Sequence, residues 1–576
     1  MATGGYWATL QRRQFGRRAV LCGGATGAVG LMAASLIGCR SGGTPDGKAV
    51  PSAAESSSAG TPKRGGHIRI EADPNSLWDP YKVSGPGVQH WSAITEQLIY
   101  VNPQTFELEP KLIEKWETIE AGRKYVFHVR KGMKYENKAP TNGRLFDAKD
   151  VVYNLKYAAG LIDPKSAGAI ARSSWYAGIN KVDAIDDFTV SLELSKPNAA
   201  ILRAMGDGRQ FVIPREVPEV MPFTDYAKVP SIGPFIVKEY REGETAQYVR
   251  NPQYWDQPRP YVDSTEIKWF GDTAAANAAL LTDSLDILRV KGKANYDTIK
   301  AGKDVNVPVW PSRTAQNFFI NGKKFPDPRL WKAMHLIYDY TGNANAVAGE
   351  NLWVHCGPIN SLLPGTFTPD QLSKMPGWNP ATKQADVAEG KKLLDAMGAP
   401  NGKGLVINME SAGVASGPGW DASIRFQANM RQALPDLKLE LKPSPDTATG
   451  QRALANKTYD IISHGVTDGT DTRLATLAWL TGASRNYYNY SNPKVDALIE
   501  RMQGEPDKEM QASVGEMQKI LFEGGFPTIV SALNKDYLGA RSRLRGYEER
   551  GGPASTGAGN ISGNERKYMW FDDKRK

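Results

Sequence analysis

The sequence predicts an α/β protein built of more than one lobe. Three observations carry this. The chain has 576 residues, too many for one ordinary domain. From Gln384 to Ser463 helical and strand patterns alternate, the mark of a largely parallel sheet. The stretch from Lys124 to Tyr157 reads as strand, turn, strand, polar loop and capped helix.

Composition bounds the function. Hydrophobic content of 41% with charged content of 23% fits a soluble globular protein. The net charge is +9, and Arg12, Arg13, Arg17 and Arg18 all fall in an opening segment that holds no acid. No basic run elsewhere is dense enough for nucleic acid. The three cysteines are Cys22, Cys39 and Cys356. With Cys39 lipidated no pair remains, so no disulfide framework is expected. The six histidines are scattered, and no G-x-S-x-G, H-E-x-x-H or G-x-x-x-x-G-K-[ST] occurs. Hence no catalytic residue, metal site or cofactor is expected.

The first sixty residues read as an address and a tether. Arg12-Arg13-Gln14-Phe15 looks like a twin-arginine export signal. An apolar, Gly-rich stretch from Ala19 to Gly38 follows, and Leu36-Ile37-Gly38-Cys39 resembles a lipobox. Residues 1–38 are then a cleaved signal and Cys39 takes the lipid. An uncleaved anchor is the alternative, since about 20 apolar residues span a bilayer. Residues 39–63 are rich in Ser, Gly, Pro, Ala and Thr, and predict a flexible linker of roughly 25–30 Å reach.

The body begins with a strand at Ile68 and Ile70, which Asp73-Pro74-Asn75 breaks. After the loop from Val83 to Gly87, Ile94, Leu98 and Ile99 predict a helix. Tyr125, Phe127 and Val129 alternate as a strand, Lys131-Gly132 turns the chain, and Met133 and Tyr135 resume the alternation. Asp147 is the expected N-cap of a helix carrying Val151, Leu155 and Ala158. Thr189 to Leu194 alternates as a strand, and Ile267, Trp269 and Phe270 predict another. Thr273 to Leu281 is a helix capped by Asp272, followed by a strand at Leu285 to Ile287.

In the second half, a helix from Gln384 ends at Gly398, and Leu405 to Met409 is a strand. A helix over Ala422–Leu434, a strand over 437–441, a helix over Gln451–Asn456 and a strand over Tyr459–Ser463 follow. Two loops then leave strand ends, Glu410 to Asp421 and His464 to Asp471, where open sheets of this kind bind ligands. A helix over Met510–Leu521 and a return strand from Phe526 close the pattern. Residues 545–576 are expected to be a surface tail.

Several of these segments together resemble one family. Phe127-His128-Val129-Arg130-Lys131-Gly132-Met133-Lys134-Tyr135 and Phe146-Asp147-Ala148-Lys149-Asp150-Val151 resemble the signature of the extracellular solute-binding proteins of the peptide/nickel type, family 5, which feed ABC importers. Arg250-Asn251-Pro252-Gln253-Tyr254-Trp255 matches the family's R-N-P-x-Y-W. Asn486, Tyr488, Tyr490, Asn492-Pro493 and Asp496 match a third segment. Glu109 to Leu112, Trp116 and Gly233-Pro234-Phe235 match more loosely. The resemblance runs from Gly65 to about Leu544.

It implies a two-lobed, periplasmic-binding-protein-like (type II) α/β fold with an extra subdomain. Lobe I would combine residues 64–105, 229–312 and 531–576, lobe II would be 313–530, and the subdomain 106–228. The chain would cross between lobes near Trp310–Arg313 and Val530–Leu533. The implied function is to capture a peptide-like or other small solute between the lobes, without catalysis, and deliver it to membrane permease subunits. The protein would be an exported monomer, lipid-anchored to the outer face of the cytoplasmic membrane. The alternative is an exported hydrolase of oligopeptides or glycans. Within the receptor class, oligosaccharide and metal-chelate binding are the rivals.

Site residues follow from the same resemblance. In peptide binders the loop aligned with Val83, Ser84 and Gly85 touches ligand, and an Asp after the strand Tyr459–Ser463 pairs with the ligand's amino group. Asp468 stands closest to that place, and reads equally as an amine anchor or a cap carboxylate. Where the family often has Trp, this chain has Gly465 or Val466. His464 reads as a ligand contact or a satisfied interior histidine, and Trp420 and Tyr488 as ligand walls or local packing. His355-Cys356 is expected to be structural, and Asp147 with Asp150 to be helix-start carboxylates rather than a catalytic pair.

Overall fold

Period-two strands and helical segments assemble around one long sheet. The computed structural model describes residues 60–72, 79–81, 87–102, 105–162, 170, 172–241, 243–290, 292–414, 418–467, 471–483, 485–547 and 563–572. The signal, Cys39 and the linker up to residue 59 lie outside the described residues, as do Val83, Ser84, Gly85 and Asp468.

The long sheet runs in the order Lys438–Ser444, Val406–Val414, Ile461–Thr467, Val309–Ile320, Thr528–Arg541, Ile287–Val290, His67–Glu71, Ser264–Lys268, Thr245–Arg250 and Phe235–Arg241. The first three strands are mutually parallel, as the alternating pattern predicts. Their neighbour Val309–Ile320 is antiparallel to Ile461–Thr467. At the other end, His67–Glu71 is parallel to both its neighbours.

Two long strands join these halves. Val309–Ile320 pairs with Ile461–Thr467 through Thr314–Ile320, and with Thr528–Arg541 over most of its length. Thr528–Arg541 then pairs with Ile287–Val290 through Tyr537–Ala540. Their mutual register shifts between Pro311 and Ala315 and again between Ala315 and Asn317. Such bulges bend a strand pair and increase its local twist.

A separate four-stranded antiparallel sheet has the order Ile113–Ile119, Lys124–Val129, Thr189–Leu194, Ile179–Asp186. Tyr125, Phe127 and Val129 are buried on one face, as their alternation requires. The helix Ala148–Ala158 packs on the sheet with Val151, Leu155 and Ala158 inward. Asp147 and Asp150 form a reciprocal capping box at its start. Both carboxylates are committed to arginines: Arg144 holds Asp150 at 2.6 Å and Arg215 holds Asp147 at 2.7 Å.

The helix expected through Leu98 and Ile99 stops earlier, at Gly87–Ile94, and Ile99–Val101 is a strand. The reason is tertiary. The Ile94 carbonyl accepts from Ile232 N at 3.0 Å and Gly233 N at 2.9 Å, so it cannot continue the helix. Gly233 is required there, because a Cβ would sit 2.5 Å from the Thr95 carbonyl oxygen.

The largest departure is in the C-terminal segment, whose described residues are not a surface tail. Residues 563–572 return to the sheet half that begins the body. The strand Trp570–Phe571 pairs with Leu544–Arg545, and Trp570 is buried. Arg566 donates to the Gln89 carbonyl at 3.1 Å. Lys567 Nζ lies 3.0 Å from Glu96, with both side chains 1% exposed. Tyr254 from the R-N-P-x-Y-W segment completes the group, accepting from Lys567 at 2.5 Å and donating to Glu96. The segment's Gly content and charge suggested solvent, but its charges find partners inside.

Candidate ligand-binding site

The two long strands present alternate side chains to opposite faces, and each face borders a cavity. Ser312, Thr314 and Gln316 face one and Ala315, Asn317 and Phe319 face the other. The first cavity measures about 440 Å³. The second measures about 40 Å³, room for a few waters.

The larger cavity draws its lining from both halves of the sheet. Arg289 and Val290 come from Ile287–Val290 and its end, and Asp536 and Tyr537 from the far end of Thr528–Arg541. The opposite wall is the helix Tyr340–Ala348, with Ala344, Val347 and Ala348, and the helix Pro418–Ala433, with Ala422 and Arg425. Arg289 Nη2 pairs with Asp536 Oδ1 at 3.0 Å. Burial, Tyr296 and Asp536 push the Tyr537 hydroxyl up to about 12, so it is a neutral donor. A volume of this size falls in the range of small-molecule sites.

The strand expected to end at Ser463 extends to Thr467, so His464 lies within it rather than opening a loop. Likewise Glu410 to Val414 continues a strand, and the next helix starts at Pro418. His464 and Tyr488 are brought to the face of the smaller cavity. The His464 ring meets Tyr487 nearly edge-on at 6.2 Å, and Tyr487 and Tyr488 both line that cavity beside Arg485. Burial, and then Arg485, lower the His464 imidazole to about 4. Tyr488 is buried, tilted against Trp479 at 4.4 Å and beside Phe319 at 5.7 Å.

Trp420 sits on the opposite face, in the first turn of its helix and half-buried. A relay fixes that turn. Gln316 donates to Ser463 Oγ at 2.6 Å, and Ser463 Oγ donates to the Gly419 carbonyl at 3.1 Å. The structure therefore groups His464 with Tyr488 and separates both from Trp420.

Asp471, three residues beyond Asp468, is described. Asp471 accepts from Arg473 N at 2.7 Å as the N-cap of Thr472–Thr476. Its carboxylate also meets Arg203 Nε at 2.8 Å and Arg473 Nη1 at 3.0 Å.

Sequence reasoning passed over Arg289, Gln316, Asn317, Arg425 and Asp536. The polar run Ser312 to Asn317 gave no hydrophobic alternation, although its period of two is what sorts these side chains between the cavities. Among the described residues no group of His, Cys, Asp and Glu could hold a metal ion. Cys356 is buried and forms no disulfide. No helix of the described residues is long and apolar enough to cross a membrane.

An α/β body whose halves share two long strands, with a ligand-sized cavity at the junction, has the architecture of a two-lobed solute-binding protein. Solved structures agree in fold. A periplasmic binding protein DppA from Helicobacter pylori, in complex with the peptide STSA, superposes with a TM-score of 0.71 at 18% identity, covering 89% of this chain and 99% of that one. Residues 107–488 match the bacterial extracellular solute-binding proteins, family 5 middle region, and the chain belongs to that family. Curated relatives include heme-binding protein A of Haemophilus influenzae, 23% identical over 482 residues, covering 79% of this chain and 84% of the relative. The periplasmic oligopeptide-binding protein OppA of Salmonella typhimurium is 22% identical over 456 residues, covering 73% and 78%.

Proposed function

We propose that this chain is the substrate-binding lipoprotein of an ABC importer. The observation that carries the reading is the position of the larger cavity, lined by the two long strands and by both halves of the sheet that they join. A solute held there contacts both halves. It would favour the closed arrangement by its differential affinity for closed over open. The lobes would be 64–105 with 229–312 and 531–576, against 313–530, with 106–228 as an added subdomain. They would bend where the register of the long strands shifts. The permease would recognise the closed shape.

At the N-terminus, removal of residues 1–38 would leave Cys39 to carry a lipid, and 39–63 would tether the body to the outer face of the cytoplasmic membrane. The protein would act as a monomer and cleave nothing. Its solute would be peptide-like or another small molecule, in keeping with relatives named for heme and oligopeptide binding.

Mass spectrometry of the protein purified under native conditions tests the reading: a co-purified small molecule is expected, and adding it back should raise the melting temperature without being consumed. Cleavage of any bound molecule would overturn it. Asp468→Ala addresses the amine-anchor role, since an unchanged affinity for free peptides would rule that role out.

A further inference from the structure

The charges lining the larger cavity are unbalanced. Arg289, Arg425 and Lys535 face it, against the single carboxylate of Asp536 among the described lining residues. Arg289 is already matched to Asp536. Lys535 Nζ donates to the Asn351 carbonyl at 2.8 Å. Arg425 stands differently. Its Nε is buried with no hydrogen-bond partner, and among the described residues no carboxylate lies within ion-pair distance.

Arg425 as a whole is only half-buried and lines the cavity, and a guanidinium is shaped to take two oxygens of one anion side by side. The neighbouring wall is mostly apolar, made of Tyr338, Ala344, Val347, Ala348 and Ala422 with Asn343 as its one amide. Val347 keeps 36% of its surface exposed at this wall, an apolar patch that a bound molecule would cover.

Resting on the reading of this cavity as the solute site, we propose that the solute is an organic anion with an apolar body, its anionic group received by the Arg425 guanidinium. Two sources share that chemistry: the terminal carboxylate of an apolar peptide, and a free aliphatic or aromatic acid. A cationic end would be repelled here, so a peptide would have to place its amino group elsewhere.

The test compares acids with their uncharged amides on the full chain: tri-leucine and its C-terminal amide, octanoate and octanamide, hippurate and hippuramide. Affinity is read by calorimetry for the wild type, Arg425→Met and Arg425→Lys, each checked for native circular dichroism. At least one acid is expected to bind the wild type about tenfold or more tightly than its amide. That preference should vanish in Arg425→Met and survive in part in Arg425→Lys. The pair that shows it identifies the source, peptide or free acid.

Equal affinity for every acid and amide, no binding by any acid at millimolar concentration, or a preference that persists in Arg425→Met would each overturn the proposal. The receptor reading stands or falls separately. A neutral co-purified solute that stabilises wild type and Arg425→Met equally would leave it intact while removing the anion. Turnover of a bound molecule would remove the receptor itself.

Discussion

Arg203 Nε lies 2.8 Å from an Asp471 oxygen, with the two side chains 16% and 3% exposed. The pair ties two distant parts of the chain. Arg203 stands on the helix Ile201–Met205, shortly after the four-stranded antiparallel sheet, and Asp471 caps the helix Thr472–Thr476. Ala199 N donates to the Gln503 carbonyl at 2.7 Å beside it, and Asp507 joins through Arg473 at 2.9 Å. In the reading proposed above, this is a clasp between the added subdomain and lobe II.

Removing Arg203 should loosen that clasp. Asp471 keeps Arg473, so no buried carboxylate is stranded, and Arg203→Ala is expected to cost about 1–3 kcal/mol rather than more. X-ray scattering of the solute-free variant should show a larger radius of gyration than the wild type, and solute affinity should fall. Identical scattering curves and affinity would show that the contact does not hold the parts together.

The buried pair of Lys567 and Glu96 predicts a different pattern. Either Glu96→Gln or Lys567→Met alone leaves one buried charge without its nearest partner, with Asp256 at 3.9 Å the next carboxylate to Lys567, and each should destabilise by about 3–5 kcal/mol. The double variant should be less damaged than the sum of the two, because neither charge remains. Denaturant melts of the four proteins provide the cycle, and strict additivity would mean that the two side chains do not interact.

Acid should weaken the fold through its histidines. Burial lowers His90 and His335 to about 3 and His355 and His464 to about 4, from an ordinary value near 6.5. Above pH 6.5 both native and unfolded chains hold these rings neutral, and the full stability is present. Below it the unfolded chain takes up protons that the native state refuses, so stability falls as pH drops from 6.5 towards 4. Each ring contributes up to about 2 kcal/mol of loss by pH 5. His335→Gln should flatten the slope in urea melts run across this range. A slope unchanged by the substitution would argue against a neutral, buried His335.

Gly233→Ala should be strongly destabilising despite adding one methyl group. The new Cβ would meet the backbone of Ile94 and Thr95 at 2.5–2.6 Å, where neither side can yield cheaply. Loss of soluble expression or a melting point lowered by several degrees is expected. A wild-type melting curve would mean that the two segments can separate without cost.

Where a local signal sufficed, the sequence was readable. Asp272 caps Thr273–Leu281 and Asp147 caps Ala148–Ala158 because the cap and its apolar spacing sit within a few residues. Ile179–Asp186 was not legible, since five of its eight residues are exposed and its partner strand supplies the order. The end of the helix at Ile94 was invisible for a similar reason: it is set by residues 232 and 233, far along the chain. The candidate site was legible only in outline. His464 could be placed near a strand end, but the face it takes depends on its pairing with Asn317. Arg425 gave no signal in its helix, because only the fold reveals that a cavity opens beside it.

The closure of Glu96 by Lys567 also sets a clock on biosynthesis. These partners are separated by 471 residues. At about 5–20 residues per second, a ribosome needs roughly 25 to 95 s to supply the second after the first. Throughout that interval the nascent chain holds an acid whose counter-charge has not been made. Full maturation of this half therefore has to wait until Lys567 has left the ribosome, and whatever shelters the growing polypeptide must do so for that long.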